Sequence, residues 1–349
     1  MKLSSDAKAR RPVLATVAAL ARVSVPTVSK VINGREDVAD ETRIRVQAAL
    51  DELGYVSPFK PRVPAEGPIM VDFVVNGVAS QYSHALMTGL LDYANFAGVE
   101  VVVTNTSEAD LRSANHEAWA RRMSESGRKG LILATPNVDA SLVKPYGRLN
   151  IPVVVIDPWS APQVGCITVG ATNWSGGKAA VEHLIGLGHT KIAFIGGDPA
   201  SESSNSRLHG YLAALRNHGI EARPEYVLEG EFGSTFGAEA TRRLLALKNP
   251  PTAVFAVCDY TAVGVLQEGR RQGLRLPEDL SVVGFDGLPV VEQTLPRLTS
   301  VAQPLHDMGR AALGSVLRLI RGEQLDSAHV ELATALQIRD STTAPPGVS

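Results

Sequence analysis

Cysteine is scarce. Cys166 and Cys258 are the two in 349 residues, 92 positions apart in apolar runs, and neither belongs to a CxxC pair. That excludes a disulfide framework, argues against a cysteine-based zinc site, and makes a reducing cytoplasm the expected setting. Long apolar runs are lacking too. None approaches the ~18–20 residues of a membrane span. Residues 13–21 (VLATVAALA) are too short for a secretory leader and run straight into a polar helical pattern, so neither secretion nor a membrane partner is expected. Net charge is small. With 34 Lys/Arg against 36 Asp/Glu, the formal −2 excludes a basic nucleic-acid coat over the whole chain.

Catalytic signatures are also missing. No GxxxxGK[ST] exists; the nearest segment, TNWSGGKA, lacks the first glycine and has Ala179 after Lys178, so it cannot place a hydroxyl on Mg²⁺. No GxGxxG and no GxSxG elbow appear. The eight histidines form no HExxH or HxH pair, and no carboxylate pair stands out as acid and base. His189, in LGHTK, reads as a helix C-terminal cap. The expectation is therefore no catalytic residue, no metal site and no cofactor.

What is present is a large apolar fraction, 44 %, with 20 % charged residues, enough for the cores of two or three domains. The charge is unevenly placed. Residues 1–35 carry seven Lys/Arg against Asp6, a net +6, which leaves −8 for the other 314. A basic end on an acidic body points to phosphate contact at that end alone.

Along the chain, residues 1–12 form a basic arm without periodicity. Residues 13–56 read as three short helices, with apolar sets at Val17, Leu20 and Ala21, at Val28, Val31 and Ile32, and at Val46, Ala49, Leu50 and Leu53. Residues 57–68 (SPFKPRVPAEGP) hold four prolines and mark a linker. From residue 69, strand-length apolar runs alternate with helical stretches, the pattern of parallel sheets covered on both faces. The expected fold is an all-α helix-turn-helix headpiece followed by an α/β core, 69–340, of two doubly wound parallel-sheet lobes. Lobe one takes about 69–162 plus 293–322, and lobe two about 163–292 plus 323–340. The tail 341–349 reads as disordered.

The most specific segment is VLATVAALARVSVPTVSKVING, residues 13–34. A first helix ends near Ala21, a tight turn at Arg22-Val23 follows, and Ser24 is an N-cap type before a helix that starts Val25-Pro26. Ala18 is small where the helices would cross. This is the spacing of a helix-turn-helix, whose second helix enters the DNA major groove by its N-terminal end.

At these residues the chain resembles the lactose repressor (LacI/GalR) family of transcription regulators. VAALARVS-PTVSKVING and the following V-DETR-RV-AALDELGY carry the resemblance, and later fragments such as TNWSGGKAAVEHLIGLGHTKIAFIGG, AVFAVCDYTAVGVL and LSVVGFDG extend it over nearly the whole chain. The resemblance implies a sugar-binding core like that of periplasmic binding proteins. It also implies base reading by Val25, Pro26 and Lys30, with Lys30 able to donate to guanine and the other two offering apolar contact. Ser24, Thr27, Ser29, Asn33 and Thr42 match phosphate-contacting positions.

Two departures stand out. Most members have glycine where this chain has Arg22; a left-handed residue there costs roughly 1–2 kcal/mol, and its guanidinium could reach a phosphate. Members often carry an Ala-rich hinge helix with a leucine wedge. Here Pro58, Pro61 and Pro64 occupy that stretch, so Lys60 and Arg62 are candidates for phosphate or minor-groove contact from an extended arm.

Sites on such a sheet form at strand C-termini. Asn76, Asp157, Asp259 and Asp286 each follow an apolar run, Arg207 opens a helix, and Trp159 and Phe232 are candidate stacking surfaces, with Tyr82 a further candidate. Carboxylates and a guanidinium fork suit vicinal hydroxyls, and aromatics suit the C–H faces of a sugar. By resemblance, Arg207 and Asp259 match the main effector positions, and Asp286 matches a family aspartate. The expected partners are a palindromic double-stranded DNA operator, a mono- or oligosaccharide effector, and a second copy in a homodimer. The rival readings are a sugar-binding transport protein, which has no use for residues 13–56, and an enzyme on the same fold, which sugar turnover would reveal.

Overall fold

The computed structural model describes residues 14–32, 38–52, 68–160 and 166–347. Asn33, Lys60, Arg62, the arm 1–12, nearly all of the proline-rich linker and the last two tail residues lie outside them. The chain divides into two units, residues 1–67 and 68–349.

The first unit contains α1 (Leu14–Ala21), α2 (Val25–Ile32) and α3 (Asp40–Glu52). Val17, Ala18, Ala21, Val28, Val31, Val46, Ala49 and Leu50 form its core, with Val23 packed against them. Successive helices α1 and α2 meet at 96°, within the ~90–120° of a helix-turn-helix. The small Ala18 is buried. Arg22 makes the turn with φ 53°, the left-handed conformation the glycine-free turn requires. Ser24 then caps α2, its Oγ accepting the Thr27 N–H at 3.3 Å. Leu20, expected on the apolar face with Val17, is instead 43 % exposed. In an eight-residue helix with neighbours on one side, the buried stripe spans Val17, Ala18 and Ala21 and leaves Leu20 outside it.

The second unit holds two six-stranded sheets. The first takes β1 (Met70–Val75), β2 (Glu100–Asn105), β3 (Arg128–Ala134), β4 (Val153–Ile156) and β5 (Ile167–Ala171). The second takes β6 (Ile192–Ile195), β7 (Val227–Leu228), β8 (Ala253–Ala256), β9 (Ser281–Asp286) and β10 (Thr299–Ala302). The chain then returns. β11 (His329–Leu332) joins the first sheet beside β5, and β12 (Ala335–Gln337) joins the second beside β10. The pairings are parallel apart from β10 with β12. β1, β3, β4, β8 and β9 are buried nearly end to end, as sheets covered on both faces demand.

The lobe boundaries differ from those the sequence suggests. β5 belongs to the first lobe, so the first crossing falls after Ala171, not at 162. β10 belongs to the second lobe, not the first. Helix α12 (Leu305–Ile320) packs Leu305, Met308, Ala312, Leu313 and Val316 against Val71 and Phe73 of the first lobe, and β11 belongs there as well. Three strands of chain thus cross between the lobes. The tail is also not free. Ser341 is buried, its hydroxyl donating to the Val282 carbonyl at 2.6 Å and accepting the Thr299 N–H at 2.8 Å. Thr343 N–H donates to Ser281 at 3.0 Å. These bonds satisfy backbone groups at the starts of β9 and β10 and on the tail itself. His189 lies in the same network, within hydrogen-bond distance of Thr252, Ser281 and the Thr343 carbonyl.

Candidate DNA-reading helix and effector cleft

Helix α2 turns Val28 and Val31 into its core and leaves the other face outward. Ser24, Val25, Pro26 and Lys30 are exposed on it, with Val25 40 % exposed, and Thr27 and Ser29 are half-buried. Arg22 is exposed in the turn just before it, and Thr42 is half-buried on α3. Proline in the first turn breaks no helical hydrogen bond. Ser24 and Thr27 hydroxyls lie 2.8 Å apart, so the cap and the predicted phosphate contacts share the same two side chains. An apolar pair at the helix start with a lysine one turn on is suited to methyl contact and guanine donation.

In the second unit, a cavity of 220 Å³ opens between the lobes at the C-terminal ends of the strands. Tyr82, Asp157 and Trp159 reach it from the first lobe, and Arg207, Phe232 and Asp286 from the second. The sequence reading places these six together. Tyr82 lies in α4 (Gln81–Ala97), and its hydroxyl donates to the Asp157 carboxylate. Trp159 meets Phe232 edge-on, ring centres 5.7 Å apart. The Trp159 carbonyl accepts the Glu202 N–H across the lobes at 2.7 Å.

Arg207 stands on α9 (Glu202–Asn217), pinned from several sides. Its Nη1 donates to the Val257 carbonyl at 2.6 Å and its Nε to Asn173 Oδ1 at 2.9 Å. Asp286 lies 3.5 Å away, and the guanidinium stacks 3.7 Å above the Phe285 ring. Gly177, on α8 (Asn173–Gly186), permits this. A Cβ there would come within 2.6 Å of the Arg207 carbonyl oxygen. Asp286 in turn accepts from Gln303 Nε2 at 2.7 Å. The Gln303 Oε1 is buried with no partner among the described residues.

The wall is electrostatically costly. Burial pushes Asp286 above the ordinary carboxylate range, opposed by Arg207. Burial raises Asp157 as well, opposed by the Tyr82 hydroxyl and Arg207. Tyr82 is pushed well up by burial and by the Asp157 charge. Asp157 and Asp286 both hold positive φ, 42° and 108°, backbone strain of the kind that clusters at binding sites.

Two predicted residues lie elsewhere. Asp259 opens α11 (Asp259–Arg271) and is fully buried behind the cavity. Its carboxylate accepts the Leu288 N–H at 2.7 Å and the Ser300 hydroxyl at 2.6 Å, so it holds the loop after β9. Asn76 is exposed outside the cavity, its carbonyl accepting from Ser83 Oγ at 3.3 Å. Asn173 and Gln303, which aim Arg207 and Asp286, were not among the predicted residues. Gln303 carried a readable signal, since it follows the C-terminal end of β10. Among the described residues no group of three or more His, Cys, Asp or Glu is placed to hold a metal ion.

The model for bacterial regulatory proteins of the lacI family matches residues 13–57, and that for the periplasmic binding protein-like domain matches 181–342. The HTH-type transcriptional repressor CytR of Escherichia coli is 31 % identical over 333 residues, 95 % of this chain and 96 % of the relative. The HTH-type transcriptional repressor PurR of Aliivibrio salmonicida is 28 % identical over 327 residues, 93 % and 97 %. A solved complex of the transcriptional regulator CelR with cellobiose superposes with a TM-score of 0.70 at 32 % identity, over 95 % of this chain and 100 % of that one. The lac repressor dimer bound to operator and the anti-inducer ONPF gives 0.70 at 26 %, over 96 % and 100 %. With its helix-turn-helix, its two-lobed core and this identity held from end to end, the chain belongs to the lacI family of bacterial regulatory proteins and is a non-enzymatic, DNA-binding transcriptional repressor.

Proposed function

We propose that this repressor works in the cytoplasm as a homodimer on a palindromic operator, and that a sugar bound in the interlobe cavity switches its affinity for that operator. The observation that carries the sugar reading is the cavity wall. A fixed guanidinium and two carboxylates face paired aromatic rings, which suits vicinal hydroxyls on one side and C–H faces on the other. Cellobiose on a relative of similar sequence supports it, and a dimeric relative on operator supports the assembly.

At the DNA, Val25, Pro26 and Lys30 read bases, while Arg22, Ser24, Thr27, Ser29 and Thr42 set register on phosphates. Asn33, Lys60 and Arg62 are assigned phosphate or minor-groove contacts on the same reading. A transport protein of the same core would leave α1–α3 without a use.

The test is operator affinity, on a fragment recovered by genomic capture, with and without neutral saccharides. A switch of about 5- to 150-fold that Arg207→Ala abolishes is expected. Operator affinity that no saccharide alters would overturn the sugar switch and leave the DNA assignment standing.

A further inference from the structure

The cavity does not end at the lobe boundary. Phe232, Cys258 and Tyr260 line the inner 220 Å³ and also a larger outer groove of 640 Å³. Alone, the inner space is smaller than the ~300–1,000 Å³ in which small ligands are usually held. The outer groove is walled by Glu231, Phe236 and Glu239 and by the start of α10 (Ser234–Leu245). Phe232 stands at the junction. A Cβ at Gly197 would come within 2.4 Å of its ring, so that glycine lets the ring lie against the backbone. Phe232 and Tyr260 are each 36 % exposed and offer ring area to an occupant.

Charge limits what the occupant can be. Among the described residues Arg207 is the one cation in either wall, and its guanidinium is already engaged by the Val257 carbonyl, Asn173 and Asp286. Asp157 and Asp286 stand in the inner wall, and Glu231 and Glu239 in the outer. The start of α10 has no side-chain cap, so its first N–H groups can donate to a ligand oxygen. The two glutamates in the same groove oppose a phosphate there.

We propose that the effector is an unphosphorylated glycoside of at least two rings. One ring occupies the inner cavity, and the next lies over Phe232 and Tyr260 in the outer groove. This rests on the sugar reading above. It adds that the outer groove is a second subsite and that phosphate esters are rejected.

The test is calorimetric titration of the full chain with neutral mono-, di- and trisaccharides and their phosphate esters. A neutral di- or trisaccharide should bind at least tenfold more tightly than its component monosaccharides, and its phosphate ester roughly a hundredfold more weakly. Tyr260→Ala should weaken the longer sugar three- to tenfold more than the monosaccharide. Its unchanged melting temperature would separate that loss from misfolding. A monosaccharide that binds as tightly as the longer sugars, or a phosphate ester that binds as tightly as its parent, overturns this inference and leaves the sugar reading intact. Heat from no saccharide in the panel overturns the sugar reading itself.

Discussion

Two aspartates one strand apart carry different burdens. Asp259 bonds only to the protein, and Asp286 faces the cavity beside Arg207. Replacing Asp286 by Asn should abolish effector response while leaving operator affinity near that of the parent. Replacing Asp259 by Asn should instead lower stability by about 1–3 kcal/mol, because both carboxyl oxygens accept hydrogen bonds and an amide keeps one acceptor oxygen, leaving the Leu288 N–H or the Ser300 hydroxyl without its partner. Equal loss of effector response with unchanged unfolding in both variants would contradict this division.

The same pair sets a pH dependence. Burial raises both carboxylates above their unfolded values, so the folded protein binds more protons than the unfolded chain. The stability this contributes is present below the ordinary carboxylate range and is lost as pH rises through the raised values. Urea unfolding across that window should show stability falling with pH, and Asp259→Asn should flatten the fall. A slope of the opposite sign would refute it. The strand-end rule made Asp157, Asp286 and Arg207 legible in the sequence. It also selected Asp259, because no pattern tells which way a carboxylate turns once its helix begins.

At the scale of elements, one close crossing and one helix cap decide the geometry. Helices α8 and α9 approach so nearly at Gly177 that a side chain there meets the backbone of Arg207. Gly177→Ala should cost about 1–3 kcal/mol by overpacking and displace α9. A melting scan and a saccharide titration should fall together, whereas a variant that melts lower but binds normally would show that α9 does not aim Arg207. In the headpiece, Ser24→Ala should cost about 1 kcal/mol through the lost cap on α2. Circular dichroism of the helices on heating measures it, and an unchanged transition would remove Ser24 from that role. The three helices were legible because their apolar residues recur at helical spacing. The exposure of Leu20 was not, since spacing alone does not give the width of the buried stripe. β11 and β12 gave no apolar run to read, because they alternate half-buried with exposed positions. The lobe boundaries depend on which sheet β5, β10, β11 and β12 join, which apolar spacing does not give.

For the whole molecule, three crossings between lobes let a ligand that touches both change their relation without unfolding either. Any coupling to DNA must be reciprocal, typically about 1–3 kcal/mol, so operator should change effector affinity by the same factor, and in the same direction, as effector changes operator affinity. We propose that the proline-rich linker, residues 57–68, carries this coupling. Replacing residues 58–64 with Gly/Ser should erase the effector response while both ligands still bind, and an intact response would show that the prolines transmit nothing.

The most direct test is capture of genomic fragments on the purified, ligand-free protein at moderate salt, followed by sequencing. The account predicts one enriched near-palindrome with half-sites about one helical turn apart, as two α2 helices in successive major grooves require. Binding that is salt-sensitive and without sequence preference would contradict it.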